Sequence, residues 1–141
     1  MDFILAILLW EVILWADIPQ AAESLAKEFV PYIGKLLRTE QLSSTDSPLP
    51  TALDLLQMLL LKLKSSSREA RLVLDLFPAL LQVLSLSQDV PILLHGTNCL
   101  RCFISSFHEE LIARGHSDAI LRTVARLLSP SLRLLTRTSI R

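Results

Sequence analysis

Two nine-residue runs constrain this chain more than any other feature. Phe29-Val-Pro31-Tyr-Ile-Gly-Lys-Leu-Leu37 and Leu76-Phe-Pro78-Ala-Leu-Leu-Gln-Val-Leu84 superpose with their prolines 47 residues apart. Ile120-Leu-Arg-Thr-Val-Ala-Arg-Leu-Leu128 continues the series without the proline, Leu127 standing 44 positions after Val83. Between these runs, Leu55-Leu-Gln-Met-Leu59 and Leu100-Arg-Cys-Phe-Ile104 recur 45 apart. Each apolar stretch needs a partner to cover it, and a chain that repeats itself supplies its own near copies.

The longest unit, Val90 to His108, shows which element repeats. Leu93, Leu94, Leu100, Phe103, Ile104 and Phe107 recur at three, four and seven, which puts them on one side of a helix. Leucine dominates a chain that is 51% hydrophobic with only 3 glycines, and that favours helix over strand. The 141 residues suffice for about three helix pairs. A spacing of ~40–47 residues with two helices per unit is the mark of HEAT and armadillo repeats. The expected fold is therefore all-α, a right-handed α-solenoid of HEAT/armadillo-like helical hairpins. It forms a single segment over 1–141, with hairpins at about 2–38, 51–84 and 90–128 and the start of a further helix at 130–141.

Capping and breaking residues refine the boundaries. The first helix is expected over about 2–16, with Asp17 as a cap and Pro19 opening a second helix over about 20–38 that bends at Pro31. A polar linker, Thr39 to Pro50, leads to a third helix over about 51–63 that is apolar around most of its circumference. Ser66-Ser-Arg-Glu69 has capping-box spacing for a fourth helix over about 68–84, with Pro78 inside it. Asp89-Val-Pro91 starts the long unit, which reaches about Arg114. Gly115-His-Ser-Asp118 then stops and restarts the chain for a helix over about 118–128, broken at Ser129-Pro130.

Charge excludes some partners. Fourteen basic and fourteen acidic residues balance, so no global field points to nucleic acid or an anionic membrane. The distribution is polar along the chain, however. Residues 1–30 carry Asp2, Glu11, Asp17, Glu23 and Glu28 against Lys27, whereas 111–141 carry Arg114, Arg122, Arg126, Arg133, Arg137 and Arg141 against Asp118. The opening run Phe3 to Trp15 is interrupted by Glu11 and falls short of the ~20 apolar residues a bilayer span needs. No basic stretch precedes it and no small-residue cleavage site follows, so a buried solenoid helix is preferred to a targeting segment, a membrane anchor or the artefact of a truncated reading frame.

Motifs that could carry chemistry have plainer explanations. Cys99-Leu-Arg-Cys102 has metal or redox spacing, with His95, His108 and His116 nearby, yet it sits mid-helix without a second cysteine pair and is read as core packing in a reducing compartment. Leu56-Gln-Met-Leu-Leu60 fits a coactivator-groove pattern, but on a helix expected to be wrapped by others it too is core. Arg122, Arg126, Arg133 and Arg137, at four, seven and four, form a basic stripe only if the helix runs unbroken past Pro130. It is then either a solvated face or a dock for an acidic partner. No nucleophile with its base, no polar carboxylate pair and no glycine-rich phosphate loop occurs, so an enzyme is not expected and no cofactor or metal is assigned.

Several runs resemble a known family. Pro48-Leu-Pro-Thr-Ala-Leu-Asp-Leu-Leu56, Leu76-Phe-Pro-Ala-Leu80, His95-Gly-Thr-Asn-Cys-Leu-Arg-Cys-Phe-Ile-Ser105 and Leu127-Leu-Ser-Pro130 are similar to internal repeats of importin-beta-type karyopherins, nearest to the importin-nine branch. The similarity is sharpest over Gly96 to Ser105, where Cys102 replaces the alanine usual in the family. It implies a HEAT-repeat nuclear transport receptor, active in cytoplasm and nucleus, that carries protein cargo such as histones or ribosomal proteins and releases it under control of the GTPase Ran. The match is to central repeats only, so the chain is expected to be a fragment or a truncated product of such a receptor. The alternative is a generic HEAT or armadillo adaptor without a transport role. Under either reading the second helix of each hairpin lines the inner surface, and Lys35, Arg38, Gln82, Arg122 and Arg126 are the candidate protein-contact residues. Direct nucleic-acid binding and membrane insertion are not expected.

Overall fold

The computed structural model describes residues 3–18, 20–38, 48–63 and 67–139, and the side chains of all of these except 3, 4 and 129–139. The described residues form seven helices and no strand: α1 (Phe3–Trp15), α2 (Ala21–Arg38), α3 (Leu49–Lys62), α4 (Arg68–Leu74), α5 (Phe77–Leu86), α6 (Val90–Ala113) and α7 (Ser117–Ser139). The all-α expectation is met.

The helix ends follow from local chemistry, with several departures from the sequence reading. Asp17 closes α1 instead of opening α2. Its φ of 57° is the left-handed conformation of a residue just past a helix end, and its amide donates to the Leu14 carbonyl at 3.2 Å. A short polar side chain is among the few non-glycine residues that take that conformation readily. Pro19 and most of the polar linker, 39–47, lie outside the described residues, and α3 starts at Leu49, two residues earlier than expected.

The expected fourth helix is two helices. Proline has no amide to donate, and its ring collides with the carbonyl four residues back. For Pro78 that carbonyl belongs to buried Leu74, where water cannot take it up, so the chain breaks at Asp75-Leu76 and Pro78 sits in the first turn of α5. Pro31 stays inside α2 because it and Lys27, four residues before it, are on the exposed side. The capping box is also displaced. Ser66 lies outside the described residues; Ser67 is the N-cap of α4 without a side-chain cap bond, and Glu69 pairs with Lys27 of α2 at 3.7 Å.

Asp89 caps α6 as its sequence suggests, its carboxylate accepting from the Ile92 amide at 3.3 Å, with Pro91 in the first turn. The far end of α6 is a Schellman motif. Gly115, at φ 79°, donates to Ile112, and His116 donates to Leu111. The last departure is α7, whose backbone runs helical through Ser129-Pro130 to Ser139 with no break.

Packing sorts six of the seven described helices into two rows, and α4 lies against α2. α3 lies against α1 on one side and α6 on the other, while α5 lies against α2 and α7. Contacts of α1 with α2, α2 with α3, and α5 with α6 join the rows. α3 is covered from three directions, which is why Leu49, Ala52, Leu53, Leu55, Leu56, Leu59 and Leu60 are all buried. Each fully buried leucine or phenylalanine contributes about 1.5–3 kcal/mol relative to exposure. The core is continuous from Ile7 and Leu14 on α1 through Phe29, Phe77 and Phe103 to Leu111 on α6.

The repeat seen in the letters reappears as chemistry. Cys99 donates to the Leu53 carbonyl across 46 residues, Lys62 reaches Leu14 across 48 and Asp17 across 45, and Arg126 reaches Leu84 across 42. Each of these bonds spans close to the interval at which the apolar runs recur in the sequence.

Candidate protein-binding groove

α5 and α7 flank an open groove of about 450 Å³. Pro78, Leu81, Gln82 and Ser85 form the α5 wall; Ala119, Arg122, Thr123 and Arg126 form the α7 wall; His116 closes one end. Three of the five contact candidates, Gln82, Arg122 and Arg126, are thus brought together although up to 44 residues separate them in sequence. Lys35 and Arg38 are also exposed and lie on α2, the neighbour of α5 in the same row, but they do not line this groove. The Arg38 side chain folds back along its own helix and lies over Gly34.

The two arginines differ in what they do. Arg126 donates from Nη1 to the Leu84 carbonyl at 2.7 Å, in the last turn of α5. The final carbonyls of a helix lack intrahelical donors and carry partial negative charge, so a guanidinium there stabilises the helix end. Lys62 does the same for α1, donating to the Leu14 carbonyl at 2.6 Å and pairing with Asp17 at 3.3 Å. In each case a cation of one hairpin closes a helix end of the preceding one. Arg122 has no such tie among the hydrogen bonds and ion pairs of the described residues, and it projects a cation into the groove mouth.

Two groove residues went unnoticed in the sequence. In the sequence His116 stands in a stop signal and near the cysteine pair, with nothing to mark it as a groove residue, but the Schellman turn at Gly115 brings its ring to 5.2 Å from that of Phe77. Thr123 is buried with its hydroxyl donating to the Ala119 carbonyl at 2.8 Å, so it shapes the wall and presents no free donor. Arg122, Arg126 and His116 thus line the same groove as the apolar Pro78, Leu81 and Ala119.

The other sequence motifs are structural. Cys99 and Cys102 are both buried. Burial pushes the Cys99 thiol well up, Cys102 and Asp54 add to that, and the Gln57 backbone amide opposes it. Burial raises Cys102 as well, with Arg101 opposing. A nucleophile or metal ligand needs the thiolate, and here the environment disfavours it. Among the described residues no group of three or more His, Cys, Asp or Glu side chains converges as a metal site. Leu56, Leu59 and Leu60 face the core, so the coactivator-type pattern has no face to offer. No described helix is long and apolar enough to cross a membrane.

Compared with protein-family models, with curated proteins and with solved structures, the chain matches none.

Proposed function

We propose that this chain is a stack of HEAT/armadillo-type hairpins, right-handed in its progression, that serves as a protein-binding scaffold of the nuclear transport receptor kind. The observation that carries the scaffold reading is the set of side-chain bonds joining positions 42 to 48 residues apart, one repeat to the next. A molecule built by such stacking has an extended row of second helices, here α2, α5 and α7, and extended rows are the binding surfaces of repeat proteins. The transport role rests on the resemblance of Gly96 to Ser105 to the karyopherin repeats. In that setting the chain contributes a springy segment of a receptor that moves protein cargo between cytoplasm and nucleus under control of Ran.

The groove arginines repel basic cargo such as histones or ribosomal proteins, so such cargo would be met by other surfaces. The α5/α7 groove takes an acidic segment. Pull-down with Ran bound to GTP and with histone dimers tests the transport role, and binding to neither removes it. Arg122→Glu tests the groove: it is expected to abolish capture of acidic peptides while leaving the melting temperature unchanged. Capture undiminished by that change would place the binding surface elsewhere. An adaptor without a transport role predicts the second result without the first.

A further inference from the structure

An acid stands on the core-facing side of α1. Ile7 and Leu14 are fully buried, and Glu11 falls between them at spacings of four and three, so the three side chains share one face of the helix. α1 lies against α3, and from α3 Asp54 meets the Glu11 carboxyl. Glu11 Oε1 is buried and has no hydrogen-bond partner among the described residues. We propose that Glu11 and Asp54 form a proton-dependent latch: with one proton between the two carboxyls α1 stays seated on α3, and without it α1 undocks while the remaining helices stay packed. This concerns the fold itself and does not rest on the partner reading above.

The chemistry of the pair sets the direction. An ionised carboxylate only accepts hydrogen bonds, so two of them side by side have no donor and repel, whereas a single proton lets one acid donate to the other. A buried oxygen left without a donor costs free energy that falls on the seated helix. Burial first, and then Asp54, accordingly hold the Glu11 acid above its ordinary value of 4.5. Undocking returns the carboxyl to water and to that ordinary value, so a proton is released as α1 leaves. The seated state is therefore most favoured below the ordinary value. The undocked population climbs as pH rises from there to the raised value, by at most about tenfold per pH unit, and then levels off.

No cation among the described residues pairs with Glu11 to offset this. From α3, Lys62 is engaged at the end of α1 with the Leu14 carbonyl and Asp17. From α2, Lys27 pairs with Glu69 of α4; Glu28, Lys35 and Arg38 are exposed, Glu23 is half-buried in the first turn, and Tyr32 lies against Trp10. Asp54 is also faced by Cys99 of α6, whose thiol is committed to the Leu53 carbonyl. α3 rests on α2 and α6 as well as on α1, which confines the opening to one helix.

Tryptophan reports the movement. Trp10 and Trp15 are the two tryptophans of the chain, both on α1, and Trp10 packs against Phe29 of α2 at 5.5 Å. In a Trp15→Phe background, Trp10 emission is expected to shift to the red as pH rises from the ordinary glutamate value to neutrality, and adding Glu11→Gln is expected to remove the shift. Hydrogen exchange of the full chain, wild type against Glu11→Gln at the same pH, locates the change. The α1 amides are expected to exchange faster in wild type at neutral pH and equally at acid pH, with the α6 amides alike in both throughout. Asp54→Asn is expected to shrink the response, because the new amide can donate to an ionised Glu11. Circular dichroism matching the wild type shows that the variants fold. Four results would overturn the proposal: no shift in the Trp15→Phe chain, a shift that persists in Glu11→Gln, α6 amides that quicken together with those of α1, or a full response in Asp54→Asn.

Discussion

The Cys99 thiol donates to the carbonyl of Leu53 at 2.9 Å, joining α6 and α3 across 46 residues inside the core. This contact turns the cysteine pair from a candidate site into a fastener. Cys99→Ala removes both a packed sulfur and the bond, and is expected to cost about 1–2 kcal/mol in urea unfolding. Because burial suppresses the thiolate, thiol reagents are expected to leave Cys99 unmodified until the chain unfolds.

Lys62 and Asp17 make unequal contributions to their shared contact. Lys62 also closes the end of α1 through the Leu14 carbonyl, whereas Asp17 is 88% exposed and its ion pair is screened by water. Lys62→Met is expected to lower stability by about 1 kcal/mol. Asp17→Gly loses the ion pair but relieves a left-handed backbone, and is expected to be neutral or stabilising by thermal melting.

Two glycines are expected to resist substitution for different reasons. A Cβ on Gly96 would stand 2.8 Å from Leu84 Cδ2, and Leu84 is fully buried, so Gly96→Ala forces repacking where α6 meets α5. The expected loss is about 1–2 kcal/mol, overpacking outweighing the better helix propensity of alanine. Gly115→Ala meets no atom within 4 Å, but its φ of 79° costs an alanine roughly 1 kcal/mol. Urea denaturation of both variants, with the larger loss at Gly96, checks the ordering.

Glu11 predicts a pH dependence. Its carboxyl is held above the ordinary value of 4.5, first by burial and then by the Asp54 carboxylate beside it, and Oε1 is buried without a hydrogen-bond partner. The raised value means the fold prefers the protonated acid. The stabilisation this gives is complete below the ordinary glutamate range and is lost as pH rises through the raised value. Glu11→Gln is therefore expected to melt higher than wild type at neutral pH, and the difference should shrink on acidification. A constant difference across that range would show that the effect is not one of ionisation.

Arg126 and Arg122 separate stability from binding within one groove. Arg126→Met is expected to lower the melting temperature by a few degrees, because it uncaps α5, whereas Arg122→Met should leave it unchanged. Thermal melts of the two variants check this.

The helix pattern was legible because apolar side chains at three and four leave a strong periodic trace, and the cap at Asp89 because its carboxylate acts on an amide three residues away. What escaped depended on tertiary surroundings. Pro31 and Pro78 stand at matching places in the two similar runs, yet one lies inside a helix and the other begins one, since the displaced carbonyl belongs to an exposed residue in the first case and a buried one in the second. The groove was half visible. Its arginines follow helical spacing, but His116 enters through a turn, and the bond tying Arg126 to Leu84 has no local signature.

The rows in which α3 sits between α1 and α6 also govern how the molecule should come apart. A helix flanked on both sides can lose its cover only after a neighbour has peeled away, so opening begins at the outermost hairpins and the centre is the last to yield. Amide protons of α3 should therefore exchange with deuterium most slowly, and those of α1 should exchange before the rest of its own row has opened.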